Sequence, residues 1–313
     1  MRTTEAPSTP RPSVFALPIS TRDSAPVASP PPLPSKDTAI QAAEIPTGKP
    51  STPTFPLPKL RLEIRDLNHD GTEAFLTAVV ASKALATSVQ NVLSLLYRSP
   101  QEKTTKVPST RSVTLILRSM GGVAYTTGSE LDSDHKEIHF SLDYIRNSIP
   151  PARKTHEIMG VLTHEMVHCY QYNALGSCPG GLIEGIADWV RLNSDLSPPH
   201  WKKEANGKWD AGYQHTGYFL EYLEKRYGEG LVRRLNEKLR CVKYEEKAFW
   251  TELCGRPVEQ LWGDYQQKLN KDSKNDDGDE CAVERGDDGN VAEPTPTFKE
   301  NSHEDEKPPA GVV

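Results

Sequence analysis

The chain has 313 residues, and its composition indicates that only part of it forms a packed core. It contains 26 prolines and 36% hydrophobic residues, and fourteen of the prolines lie within the first 58 positions. Proline lacks an amide donor and fixes φ, so this density excludes helix interiors and central strands there. The net charge of −6 disfavours a basic nucleic-acid-binding surface. No run of roughly 18 to 20 apolar residues predicts a membrane-spanning helix.

Composition also divides the chain into three segments. Residues 1–56 are predicted to be a disordered tail rich in Pro, Ser and Thr, and residues 273–313 a disordered acidic tail. The intervening residues 57–272 have the size of one compact domain. We find no secretory h-region and no Asn-x-Ser/Thr acceptor, and the five cysteines are an odd number. These features favour a cytoplasmic location, with export by an unconventional route left open.

The predicted elements change from strands to helices after Pro150-Pro151. Alternation over residues 60–64 predicts a strand, and helical spacing of apolar residues predicts one long helix over 72–97. Further strands are expected over 112–118, 123–127 and 137–142. Helices are expected over 156–173, 182–192, 212–227, 230–239 and 258–269. This order predicts an α+β fold with a small, mostly antiparallel sheet and a helical half, and without a βαβ unit.

One motif with metal-binding spacing lies in the first helix of the helical half. Residues 164–168 read His-Glu-Met-Val-His, an H-E-x-x-H pattern. Because a helix has 3.6 residues per turn, His164 and His168 share a face and can bind one metal ion. Glu165 can then take a proton from metal-bound water. The bare pattern also arises by chance, so its context decides the interpretation.

That context is an acidic pair in the next predicted helix. Glu184 follows His168 by 16 positions, and Asp188 lies one helical turn further along, on the same face. A catalytic zinc ion with two His ligands needs a third protein ligand, which we predict to be Glu184. Asp188 suits the second role of accepting the free N–H of a ligand His. This E-x-x-x-D arrangement resembles the thermolysin-like gluzincins, although two solvated helical carboxylates are the alternative interpretation.

Longer stretches of the chain resemble a known family. Gly160–His168, Gln171 and Pro179–Leu192 closely resemble the plant basic secretory protein family, also described as peptidases of plants and bacteria. The resemblance continues over Gly122–Tyr125, Glu137–Ile145, Trp209–Tyr213, Phe219-Leu220 and Leu261–Tyr265. It implies a zinc-dependent, peptidase-like domain over residues 57–272. The pI of 5.9 and the missing secretory signal mean that the words "basic" and "secretory" do not carry over.

The residues and the resemblance together predict a zinc metallopeptidase acting on a peptide or protein. Zn²⁺ would be held by His164, His168 and Glu184, with Glu165 as the general base. Tyr213, within a segment that matches the family, is the candidate donor to the oxyanion, with His215 as second choice. Simple packing at the start of a helix is the alternative for Tyr213. The strand over 137–142 is expected to be the sheet edge that pairs with an extended substrate.

Two other functional classes are left open by the sequence. A non-catalytic, zinc-stabilised module of the same fold would bind peptide or carbohydrate. A scaffold would instead act through the tails, over residues 1–57 or 273–313. Replacement of Glu165 by Gln separates the peptidase from the binding module. It should abolish the turnover of a peptidase but leave the function of a binding module intact. No nucleic-acid or membrane partner is expected, and neither cleavage specificity nor oligomeric state is predicted.

Overall fold

A computed structural model of the protein describes residues 54–129 and 132–276. The strands are Lys59–Ile64 (β1), Ser112–Arg118 (β2), Ala124–Ser129 (β3) and Asp132–Ser141 (β4). The helices are Asp70–Ala78 (α1), Ala81–Tyr97 (α2), Leu142–Asn147 (α3), Lys154–His168 (α4), Gly180–Leu192 (α5), Tyr213–Tyr227 (α6), Leu231–Lys238 (α7), Glu246–Cys254 (α8) and Val258–Asp276 (α9). The predicted α+β class is confirmed. The short helices α3 and α8 were not predicted. Most of the two predicted tails lies outside the described residues.

The four strands form one mixed sheet in the order β1-β2-β4-β3. Both β1 and β4 run parallel to β2, and only β3 and β4 pair antiparallel. The prediction of a mostly antiparallel sheet is therefore wrong. The chain from β1 through α1 and α2 to β2 is a βαβ unit, contrary to the prediction from the sequence. A parallel pair needs a crossover of a dozen or more residues, and the two helices supply it.

The helix predicted over residues 72–97 is broken in two. Val79 and Val80 both have extended backbones, with φ/ψ of −143°/149° and −86°/104°. α1 and α2 consequently meet at 65°. β-branched residues such as valine favour an extended conformation. The bend lets Phe75 of α1 enter the core. Within the described part of the chain, no single helix is long and apolar enough to cross a membrane; only this bent pair, taken together, meets that test.

The core lies on one face of the sheet and positions helix α4. Leu115 and Leu117 of β2 and Ile138 and Phe140 of β4 are fully buried on that face. α2 packs against β1 and α4, while α4 also contacts β3 and α5. α4 therefore lies between the edge strand β3 and helix α5, with its C-terminal turns next to β3.

Candidate metal centre

Three side chains from α4 and α5 converge at the end of α4. The Nε2 atoms of His164 and His168 are 3.3 Å apart, and Glu184 Oε2 lies 3.0 Å from the first and 3.8 Å from the second. A tetrahedral zinc ion with Zn–N bonds of 2.0–2.1 Å separates its ligand atoms by about 3.3–3.4 Å. The donor set of two imidazoles and one carboxylate, at this spacing, thus fits a zinc ion.

Asp188 orients the first histidine of this group. Its Oδ1 atom lies 2.6 Å from His164 Nδ1, and its side chain is buried between α4 and α5. An N–H at Nδ1 that donates to Asp188 leaves the Nε2 lone pair directed at His168 and Glu184. The helical spacing that placed Glu184 and Asp188 on one face of α5 is observed.

The site is electrostatically arranged for a cation. Burial alone would lower the pKa of His164, but its hydrogen bonds to Asp188 and Glu184 raise that pKa to about 10. Burial and the neighbouring His164 lower the pKa of His168. Although burial opposes it, the hydrogen bond with His164 lowers the pKa of Glu184. In the metal-free protein His164 is therefore protonated on both ring nitrogens, with Nδ1 towards Asp188 and Nε2 towards Glu184, and a metal ion would replace the Nε2 proton.

Glu165 is buried beside this group and is held by a strand residue. Thr126 of β3 donates a hydrogen bond to Glu165 Oε2 at 2.7 Å, and the same hydroxyl lies 2.9 Å from the Glu165 carbonyl oxygen. The antiparallel register pairs Thr126 with Ile138, which places both on the inner face of the sheet, towards α4. Thr126 was not predicted from the sequence, because only the strand order brings it to α4.

The edge of the sheet next to α4 is β3. β4, which contains most of the strand predicted over 137–142, pairs with β2 on one side and β3 on the other. The expectation that this strand forms the edge for substrate pairing is therefore wrong, because its backbone groups are already engaged on both sides.

Tyr213 stands at the mouth of the site in a strained conformation. It is the first residue of α6, has φ of 45° and is 57% exposed. Its ring is stacked near His164, with centroids 6.2 Å apart and planes inclined by 17°. Positive φ is unusual for an aromatic residue and is concentrated at functional sites. Burial and the charge of Glu184 raise the Tyr213 pKa, so its hydroxyl keeps its proton at neutral pH. His215 instead packs against Trp262 of α9, with centroids 5.1 Å apart.

A comparison with known protein families assigns this domain to a family. The sequence model of a family described as "Peptidase of plants and bacteria" matches residues 57–265, about two-thirds of the chain. The chain belongs to this family. The resemblance predicted from the motifs is thereby confirmed, and the family description indicates a peptidase. Neither the curated proteins nor the solved structures that were searched contain a significant match.

Close contact between α5 and α6 sets the geometry of this peptidase-family site. A Cβ at Gly185 would lie 2.3 Å from Thr216 Cγ2, and one at Gly217 would lie 3.2 Å from the Trp189 backbone nitrogen. The two glycines therefore allow the helices to approach more closely than any side chain would permit. Glu184 directly precedes Gly185 in α5, and Tyr213 is the first residue of α6. The close packing thus places the Tyr213 ring beside the residues of α5.

A buried ion pair joins the two helices that carry the candidate ligands. Arg191 Nη2 of α5 lies 2.9 Å from Glu157 Oε1 of α4, and both side chains are largely buried. Tyr144 donates a hydrogen bond to the same Glu157 oxygen at 3.0 Å. Gly160 leaves room for the guanidinium, since a Cβ there would lie 2.6 Å from its nitrogens. This pair ties α4 to α5 on the same faces that carry the candidate ligands, about two helical turns away along both helices.

Proposed function

We propose that this protein is a zinc-dependent metallopeptidase of the gluzincin type. The observation that carries the proposal is the convergence of His164, His168 and Glu184 donor atoms beside the buried carboxylate of Glu165. His164 and His168 come from an H-E-x-x-H helix, and Glu184 comes from the following helix with Asp188 one turn beyond it. The family description as a peptidase supports the same reaction class.

Each protein group has a role in this proposal. Zinc, when bound, would supply Lewis-acid polarisation and lower the pKa of a water molecule. Glu165 accepts the proton of the attacking water and delivers it to the leaving amine. Thr126 keeps the Glu165 carboxylate in place by its 2.7 Å hydrogen bond. Tyr213, protonated and at the mouth of the site, donates to the oxyanion that develops on the peptide carbonyl.

The substrate proposed for this site is an extended peptide. β3 forms the edge of the sheet beside α4, and a sheet edge can pair with one further strand. A peptide added there would run past Thr126, whose hydroxyl contacts Glu165. Its backbone would thereby be aligned with the general base.

The test is cleavage of a diverse peptide mixture by the full-length protein with zinc supplied. New termini are identified by mass spectrometry, and Glu165→Gln is the blank. The variant should retain its zinc, because Glu165 is not among the proposed ligands. Cleavage by the parent protein alone would support the proposal. If the zinc-loaded parent and the zinc-loaded Glu165→Gln variant do not differ in cleavage, the proposal is overturned. That result would favour a non-catalytic module that binds peptide or carbohydrate.

A further inference from the structure

Gln171 has an unusual hydrogen-bonding position next to His168. Its side-chain Nε2 lies 2.7 Å from His168 Nδ1. Its Oε1 is buried and has no hydrogen-bond partner among residues 54–129 and 132–276. A buried carbonyl oxygen without a donor is destabilising, and in this orientation the amide can donate to His168 Nδ1 but cannot accept from it.

Metal ligation by His168 requires the opposite orientation of the Gln171 amide. The Nε2 atom of His168 faces His164 and Glu184, so a metal bound there would take its lone pair. The hydrogen of the neutral ring must then reside on Nδ1, which becomes a donor. The N–H of the Gln171 amide and the N–H at His168 Nδ1 would then point at each other, which is repulsive. A half-turn of the Gln171 amide exchanges its two ends and brings the unpaired Oε1 to Nδ1–H.

We infer that Gln171 is a positioning residue for His168, and that its amide turns over when the metal binds. In the metal-bound protein its carbonyl oxygen accepts the Nδ1–H hydrogen bond and fixes the ring orientation. This inference rests on the metal centre of the proposed function. Gln171 would then do for His168 what Asp188 does for His164, with a neutral acceptor in place of a charged one.

The segment that carries Gln171 is anchored well enough for this role. The Gln171 backbone N–H donates to Val167 O at 2.7 Å, which keeps the residue one turn beyond the end of α4. The next residue, Tyr172, donates its N–H to Asn236 Oδ1 of α7 at 3.0 Å. Ala174 N–H donates to Leu239 O at 2.9 Å. Only the terminal amide therefore needs to move when the hydrogen-bonding roles exchange.

Two substitutions of similar length separate an acceptor role from simple packing. Gln171→Met preserves the shape and removes the acceptor, whereas Gln171→Glu can only accept. We expect zinc affinity, measured on the full-length protein by competition with a chelator, to fall about 10- to 100-fold in Gln171→Met. In Gln171→Glu we expect it to equal or exceed that of the parent. A Gln171→Met protein with parental affinity, or a Gln171→Glu protein as weak as Gln171→Met, would overturn the inference.

A ligand variant distinguishes failure of this inference from failure of the proposed function. His168→Ala should lose zinc binding at this centre. If the parent and His168→Ala bind zinc equally, the proposed metal centre itself is wrong, and the inference falls with it. If His168→Ala loses zinc and Gln171→Met does not, only the role of Gln171 is wrong.

Discussion

The carboxylate of Asp188 lies 2.6 Å from Nδ1 of His164, buried between the two helices that carry the candidate ligands. In the proposed centre this contact selects the tautomer that directs Nε2 at the metal. We expect Asp188→Asn to reduce zinc affinity about 10- to 100-fold, because the amide supplies no compensating charge and can turn its N–H towards the ring. Chelator competition measures the loss. Asp272→Asn, the same change at an exposed position of α9, should leave the affinity unaltered.

Zinc binding should release a proton from His164. Its pKa of about 10 keeps it protonated at pH 7, whereas the lowered pKa values of His168 and Glu184 leave those two groups ready to ligate. Apparent zinc affinity should therefore rise about tenfold per pH unit between pH 7 and 9, as the competing proton is removed. Calorimetry in buffers of different ionisation enthalpy counts the protons released. Release that is unchanged in Asp188→Asn would contradict the assignment to His164.

The same pKa shift links the stability of the metal-free protein to pH. A histidine whose pKa is raised on folding contributes stability that is complete below its unfolded value of about 6.5 and is lost as pH rises through the folded value. With a folded pKa of about 10 for His164, that contribution should fade between pH 6.5 and 10. Urea unfolding at several pH values, with chelator present, measures it. Asp188→Asn should flatten the profile.

The hydroxyl of Thr126 should affect turnover rather than metal binding. Thr126→Val keeps the side-chain shape but removes the donor to Glu165. We expect kcat to fall about tenfold or more, since a positioned general base contributes roughly 10²- to 10⁴-fold, while zinc affinity stays near the parental value. Thr126→Ser should restore most of the rate. Thr127→Val is the matched control, because the neighbouring hydroxyl is exposed and points to the other face of the sheet.

The ion pair between Arg191 and Glu157 should be important for stability. Arg191→Met leaves the Glu157 carboxylate buried without its cation, so we expect the free energy of unfolding to fall by about 3–5 kcal/mol. Urea unfolding measures this, and the double variant with Glu157→Gln should recover part of the loss. Arg65→Met, which breaks the exposed pair with Glu63, should change stability by no more than about 1 kcal/mol. A similar small loss in Arg191→Met would show that the buried pair is not important.

Local spacing in the sequence determined much of the candidate site. Residues four apart on a helix share a face, so the positions of His164 and His168 relative to each other, and of Glu184 and Asp188, followed from the period alone. The family could be predicted because its motifs are long and contiguous. Strand and helix class followed from the same short-range patterns.

Tertiary structure alone decided which distant segments meet. Strand order made β3 the edge of the sheet and brought Thr126 to Glu165, 39 residues further along the chain. Periodicity records which side chains are apolar, but it does not record which strands pair, so the parallel pairing and the break at Val79 and Val80 were missed. Gln171 lies close to His168 in sequence, yet its hydrogen-bonding role depends on anchoring of the following segment by α7. Such contacts depend on the packing of the whole domain, because hydrogen bonds between distant residues form only where the fold holds both partners in place.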